Sequence, residues 1–176
     1  MTDLPNAGLI VRRETAADYE RIEEINRAAF PTDAEARLVR LLRENSDPFV
    51  SLVALDSSGA VGHIAFSRAS LDASQSVFVV GLAPMSVVPE RQRQGIGARL
   101  ANAGIDACRQ LGVQIIIVLG HAEYYPKFGF VPASRWGVKS EYDVPDEAFM
   151  LLELDRGCLP AAARVARYHE AFAAIT

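Results

Sequence analysis

The feature that most limits how this chain can fold lies in residues 75–120, where three unlike patterns follow one another. QSVFVVGLAPMSVVP (75–89) is dense in β-branched and aromatic residues and reads as a strand. Gly81 and Pro84 interrupt it, which predicts a bulge or a splayed edge rather than regular pairing throughout. From Gly95 the period becomes helical: Ile96, Leu100, Ala103, Ala107 and Leu111 share one face, and Gly112 ends the run. The small residues Ala101, Ala103, Gly104 and Ala107 let such a helix lie close to a sheet. VQIIIVLG (113–120) is then apolar without alternation, as a strand buried on both faces requires. Strand, helix and buried strand in that order predict an α/β fold.

The flanks fit one domain over 1–176, with a core at about 9–154 and a C-terminal extension over 155–176. LIVRRE (9–14) reads as a strand. Thr15 with Asp18 makes a capping-box-like start for a helix carrying Tyr19, Ile22, Ile25 and Ala29, which Pro31 stops. Thr32 with Glu35 begins a second helix, with Ala34, Leu38, Leu41 and Leu42 on one side. FVSLVALD (49–56) and AVGHIAFSRASL (60–71) form a hairpin about SSG. HAEYYPKFGF is a short turn or helix, and the rest, LLEL (151–154) aside, is weakly patterned, the 132–148 loop included. ARYHEAF (166–172) is a candidate edge strand through which a homodimer could form, so monomer and homodimer both stand.

Composition excludes several classes. Of 176 residues, 50% are hydrophobic and 23% charged, and the net charge of -4 disfavours a nucleic-acid partner. Cys108 and Cys158 stand in no metal-ligand spacing, so no metal is expected and the thiols read as idle and reduced. The N-terminus MTDLPNAGLIVRRE has no basic-then-apolar signal, and no run approaches the roughly 18 apolar residues of a membrane span. The expected location is cytoplasmic.

Gly95-Ile96-Gly97 sits where the strand gives way to the helix. A helix start offers amide groups without partners and the positive end of the dipole, and both favour an anion. Arg91, Arg93 and Arg99 add positive charge. A pyrophosphate cradle and a glycine-eased turn with solvated arginines both fit this segment taken alone. A dinucleotide fingerprint fits poorly: the third glycine position holds Leu100, and no acid stands at the tip of the next strand.

MSVVPERQRQGIGARL resembles the signature of the GNAT superfamily of acyl-CoA-dependent N-acetyltransferases. Val87-Val88-Pro89 is followed by Gln92-Arg93-Gln94-Gly95-Ile96-Gly97, matching the family's strand, V-x-P and [QR]-x-x-G-x-[GA]. A second element, a tyrosine before Gly-Phe, appears as Tyr125-Pro126-Lys127-Phe128-Gly129-Phe130, one helix and one strand later. The VLGHAEYYPKFGF segment looks like one bacterial subgroup. It lacks the asparagine-bearing helix of many members, so no residue is carried over for that contact.

The resemblance implies a GNAT fold: a mixed central sheet whose two parallel strands splay at the CoA cleft, with helices on both faces. It implies acetyl-CoA as co-substrate and an amine of a small molecule or peptide as acceptor. Backbone groups from Arg93 through Gln94, Gly95, Ile96 and Gly97 to Ala98 would hold the pyrophosphate, with Gln92 beside them. Met85, Ser86 and Val87 would pair with the pantetheine arm, one N–H polarising the thioester carbonyl. Tyr125 would protonate the leaving thiolate, with Tyr124 as its alternative; neighbours in a short helix point about 100° apart, so one of them faces the sulfur. For the base, His63 on a strand and His121 at the end of the buried strand are both candidates, and each also reads as structural. Glu23, Glu24 and Glu35 lie on the early helices, which form the acceptor wall in the family. The 71–76 turn and the 132–148 loop would complete that pocket, with Trp136 and Phe149 lining it or packing the core. A CoA-binding module without turnover, and transfer to oxygen or to a carrier-bound substrate, would show the same cradle.

Overall fold

A computed structural model of the chain describes residues 8–72, 74–159 and 164–175, the side chains of 74 and 75 apart. In chain order the main elements are β1 (Ile10–Arg13), α1 (Tyr19–Ala29), α2 (Ala34–Asn45), β2 (Phe49–Asp56), β3 (Gly59–Leu71), β4 (Ser74–Val87) and α3 (Ile96–Gln110). They continue as β5 (Ile115–Leu119), β6 (Val131–Pro132), β7 (Val138–Ser140), β8 (Phe149–Glu153) and β9 (Arg164–Arg167). The strands form one mixed sheet in the order β1-β2-β3-β4-β5-β8-β6, with β9 against β3 and β7. The β4–β5 pair at its centre is parallel, while β1–β2, β2–β3, β3–β4 and β5–β8 are antiparallel.

Each early element follows from local chemistry. Asp18 accepts from the Thr15 amide at 2.7 Å and its hydroxyl at 2.9 Å, and Arg12 grips the same carboxylate bidentately at 2.7 and 3.0 Å. These bonds, led by the one from Arg12, hold the Asp18 carboxyl far below the ordinary carboxylate range. α1 ends at Ala29 because Phe30, the residue before Pro31, is forced into extended backbone (φ -118°, ψ 153°). α2 starts at Ala34, and Glu35 makes no capping bond, so the expected Thr32–Glu35 box is absent.

Helices cover both faces. On one, α3 packs through Ile96, Leu100 and Ala101 against Leu52, Ile64, Phe66, Leu82 and Val118. On the other, Ile22 of α1 and Val39 of α2 pack against Val53, and Leu38 and Leu42 meet Ala171 of a C-terminal 3-10 turn, Glu170–Ala174. β5 is the central beam, with Ile115, Ile116 and Ile117 fully buried and Val118 1% exposed. Each such side chain contributes roughly 1.5–3 kcal/mol of burial.

Two features of this framework position the site. β3 and β4 lose register between Ile64–Met85 and Phe66–Leu82, leaving Ala83 and Pro84 opposite one residue. This is the bulge predicted at Pro84; Gly81 itself stays paired with Ser67 and Ile117. The β4–β5 ladder then ends at Leu82–Val118, while β5 continues beside β8 through Leu119–Phe149. The parallel strands therefore fork, and the edge of β4 from Ala83 onward is open. The C-terminal strand differs from expectation: β9 is hemmed by β3 on one side and β7 on the other, so it is no free edge.

Candidate active site

The fork opens into a cleft of about 890 Å³. Its floor and one wall are β4 residues Leu82–Val87, the turn after β4, and the first residues of α3. The turn is built by side chains that bind its own backbone. Gln92 Nε2 donates to the Val87 carbonyl at 3.0 Å, and Gln94 Nε2 donates to the Glu90 carbonyl at 3.1 Å. Arg91 donates to Gln94 Oε1 at 3.0 Å and is ion-paired with Asp56. The chain passes through left-handed backbone at Arg93 (φ 60°) and again at Gly95 (φ 83°), which caps α3. Among the described residues, the amides of Gly95, Ile96, Gly97 and Ala98 have no backbone acceptor. They face the cleft, where Gly97 leaves room: a Cβ there would stand 2.8 Å from the Tyr124 hydroxyl. A row of unsatisfied amides at a helix start, without a side chain in front, fits a pyrophosphate. The open edge of β4 beside it fits an extended amide-bearing arm. The residues present thus fit coenzyme A.

The opposite wall follows β5. Leu119, Gly120, His121, Tyr124, Tyr125 and Lys127 line it, the last two in a 3-10 turn, Tyr125–Phe128. Tyr125 is 8% exposed, its ring edge-on to Tyr124 and Phe130 and pressed against Gly120. Tyr124 is less buried and reaches over Gly97. The two adjacent rings stand nearly perpendicular, the Tyr124 hydroxyl over Gly97 and the Tyr125 ring against Gly120. Neither hydroxyl has a hydrogen-bond partner among the described residues. Burial pushes the Tyr125 phenol up to about 12, so it stays protonated at neutral pH.

Not every expected site residue meets in the cleft. Met85, Ser86, Val87, Gln92, Arg93, Gly95, Ile96, Gly97 and Ala98 line it; Gln94 does not, because its side chain is spent on the turn. His121 is exposed at its rim. The expectation of a base at His63 is corrected. His63 is fully buried on the α1/α2 side, with Nδ1 3.3 Å from Asn26 Nδ2 and Nε2 2.9 Å from Ser51 Oγ. Ser51 donates in turn to Glu14, which Arg43 holds bidentately. Since Asn26 Nδ2 can only donate, Nδ1 accepts and Nε2–H donates to Ser51, so the ring is neutral. Burial first, then the charge of Arg43, pushes its pKa down to about 3.

The expected acceptor wall is corrected in part. Among the described residues, none of 71–76 or 132–148 lines this cleft; Ser134 and 137–146 line a separate one with Phe149, which is also a core residue, while Trp136 packs against the core. Glu23 is paired with Arg27 and Arg40, and Glu24 with Arg21. Glu35 does line the cleft, beside Phe30 and Leu38. Sequence reasoning missed Lys127, whose Nζ lies 3.7 Å from the Tyr124 ring centre, and the C-terminal residues Phe172 and Ile175. The apolar spacing of Tyr168, Phe172 and Ile175 was the only available signal for the latter. The thiols are idle: Cys108 is buried and pushed up to about 12, and Cys158 up to about 11.

A mixed sheet forked at its central parallel pair, with a helix start on one side of the fork and a phenol on the other, defines the class as an α/β acyltransferase. Residues 19–130 match the Acetyltransferase (GNAT) family. The chain is 42% identical over 135 residues to the uncharacterized N-acetyltransferase YjhQ of Escherichia coli K12, covering 74% of this chain and 75% of that one. It is 31% identical to YhbS of the same organism over 93% of this chain and 98% of the relative. The crystal structure of E. coli YhbS in complex with CoA superposes with a TM-score of 0.87 over 98% of this chain and 96% of that one. A GNAT family acetyltransferase of Brucella melitensis in complex with acetyl-CoA is 29% identical, with a TM-score of 0.75 over 93% and 97% of the two chains. The protein belongs to the GNAT family of acetyl-CoA-dependent N-acetyltransferases.

Proposed function

We propose that the protein transfers an acetyl group from acetyl-CoA to the amine of a small molecule or peptide, by direct attack of the amine on the thioester. The observation that supports this is one cleft lined both by the Tyr125 phenol, whose ring lies against Gly120 just past β5, and by a row of amides without backbone acceptors. Acetyl-CoA, when bound, supplies the activated acyl carbon. The amides of Arg93 and Gly95–Ala98 bind the pyrophosphate, and the side chains of Gln92 and Gln94 keep the turn in shape for it. The backbone of Met85–Val87 holds the pantetheine arm and polarises the acyl carbonyl.

As the new C–N bond forms, the C–S bond breaks, Tyr125 gives its proton to the departing sulfur, and the amine loses one to the base. His121 is the candidate for that proton, because it stands at the rim of the same cleft. A phenol near 12 is a weak acid toward an ordinary thiolate, whose thiol titrates near 8.5 in water. Desolvation at the fork would raise the proton affinity of a departing thiolate as well, which narrows this gap.

Thiol release from acetyl-CoA with a mixed pool of amines tests the role of Tyr125. Tyr125→Phe keeps the ring, so CoA affinity holds while the rate falls about 10²-fold or more. Tyr124→Phe has the milder effect on rate. Full turnover by Tyr125→Phe contradicts the assignment.

A further inference from the structure

Part of the cleft lining is used by neither the cradle nor the phenols. Phe30, Leu38, Phe172 and Ile175 are apolar members of it, and Glu35 is the one acidic side chain among the lining residues. Its Oε2 is buried and has no hydrogen-bond partner, and no ion pair to Glu35 is found among the described residues. A buried carboxylate oxygen without a partner is costly, because its lost hydration is not replaced.

Glu35 stands in the first turn of α2, second after the N-cap Asp33, and makes no capping bond there. Glu23 and Glu24 on the neighbouring helix behave as solvated, arginine-paired carboxylates do. Ser86 Oγ, on the same cleft wall, is a second buried polar atom left without a partner. Departures of this kind from local consistency concentrate at functional sites.

We infer that Glu35 is the specificity residue for the acceptor and that the acceptor is a small primary amine on an apolar body. Its ammonium pairs with the Glu35 carboxylate on binding and sheds one proton to solvent before the neutral amine attacks, the second going to the base as the amide forms, while its hydrocarbon or aromatic part lies against the apolar surface from α2 and the C-terminal turn. A hydrophilic or multiply charged amine would leave polar groups unpaired against that surface. This inference rests on the acetyl-transfer reading of the cleft, but its binding test does not require turnover.

The test is calorimetric titration of 2-phenylethylamine into the protein saturated with CoA, with 2-phenylethanol and ethanolamine as matched probes lacking the charge or the apolar body. The amine binds at least tenfold more tightly than either. Glu35→Gln, which keeps the shape of the side chain, loses at least tenfold for the amine, leaves 2-phenylethanol unchanged and keeps its CoA affinity. Glu35→Asp recovers part of the loss. Equal affinity of the wild-type protein for amine and alcohol overturns the inference, as does an unchanged amine affinity in Glu35→Gln or a preference for ethanolamine. Failure to bind CoA at all would instead strike the acetyl-transfer reading. Amine binding that depends on Glu35 without any thiol release would uphold this inference while refuting catalysis.

Discussion

At His63 and Tyr125 burial disfavours charge alike but moves the pKa in opposite directions, because one is neutral after losing a proton and the other before. His63 is held near 3 and kept neutral between Asn26 and Ser51. Its ordinary value is about 6.5, so between pH 6.5 and 3 the unfolded chain binds a proton that the folded chain refuses. Stability therefore falls as pH drops through that window, by roughly 3 kcal/mol by pH 4 from this group alone. The low-lying Asp18 acts in the same direction but only in more acid solution, below the ordinary carboxylate range. Urea midpoints from pH 7 to 4 check this: the wild-type midpoint falls, and that of His63→Gln falls much less. Equal slopes for the two would mean that His63 is protonated in the fold. The spacing of His63 in the strand did not reveal this setting, since Asn26, Glu14 and Arg43 come from three other segments.

At the scale of elements, the strand–helix–strand unit was readable because each piece carries its own signal. Pro84 marks the bulge, the glycines mark the cradle, and the unalternating IIIV marks a strand covered on both faces. β6 and β7 span two and three residues, too short for any period, and exist through their partners β8 and β9. The cradle itself is tested by Gly95→Asp. Aspartate caps helices well and tolerates left-handed backbone, so the fold survives, while its charge faces the pyrophosphate. CoA affinity should drop more than tenfold, about 1.4 kcal/mol, by calorimetry; an unchanged value in a folded variant removes the cradle. Gly104 tests the seat of α3. Alanine there gains roughly 1 kcal/mol of helix propensity. However, its Cβ would lie 2.3 Å from the ring of Phe66, which is fully buried and cannot swing away. Overpacking of this kind costs roughly 1–3 kcal/mol, so Gly104→Ala is expected to lower the urea midpoint. A higher midpoint would show that α3 sits looser on the sheet.

Across the whole molecule, the C-terminal segment is where the chain departs most from its sequence. Read as an edge for a second copy, β9 is instead an internal strand, and the turn after it closes on α2 beside the cleft. Tyr168 lies where a Cβ at Gly81 would be 2.6 Å from its ring, so the end of the chain is fitted to the strand that forks. Local patterning cannot predict this, because the docking is set by residues almost ninety positions away, a separation of the same order as that between Arg167 and Asp72, which are also paired. The glycine-rich side of the cleft is contiguous in sequence and was legible there; the side lined by Glu35, Leu38, Phe172 and Ile175 is assembled from α2 and the C-terminal turn and was not. The central claim is that these parts form a working acetyltransferase. Its most direct test is the simultaneous measurement of thiol release from acetyl-CoA and of N-acetylated product by mass spectrometry, with a mixed amine pool. The account predicts release that depends on amine and matches the acetylated amine mole for mole. Tight CoA binding with no amine-dependent release would contradict it.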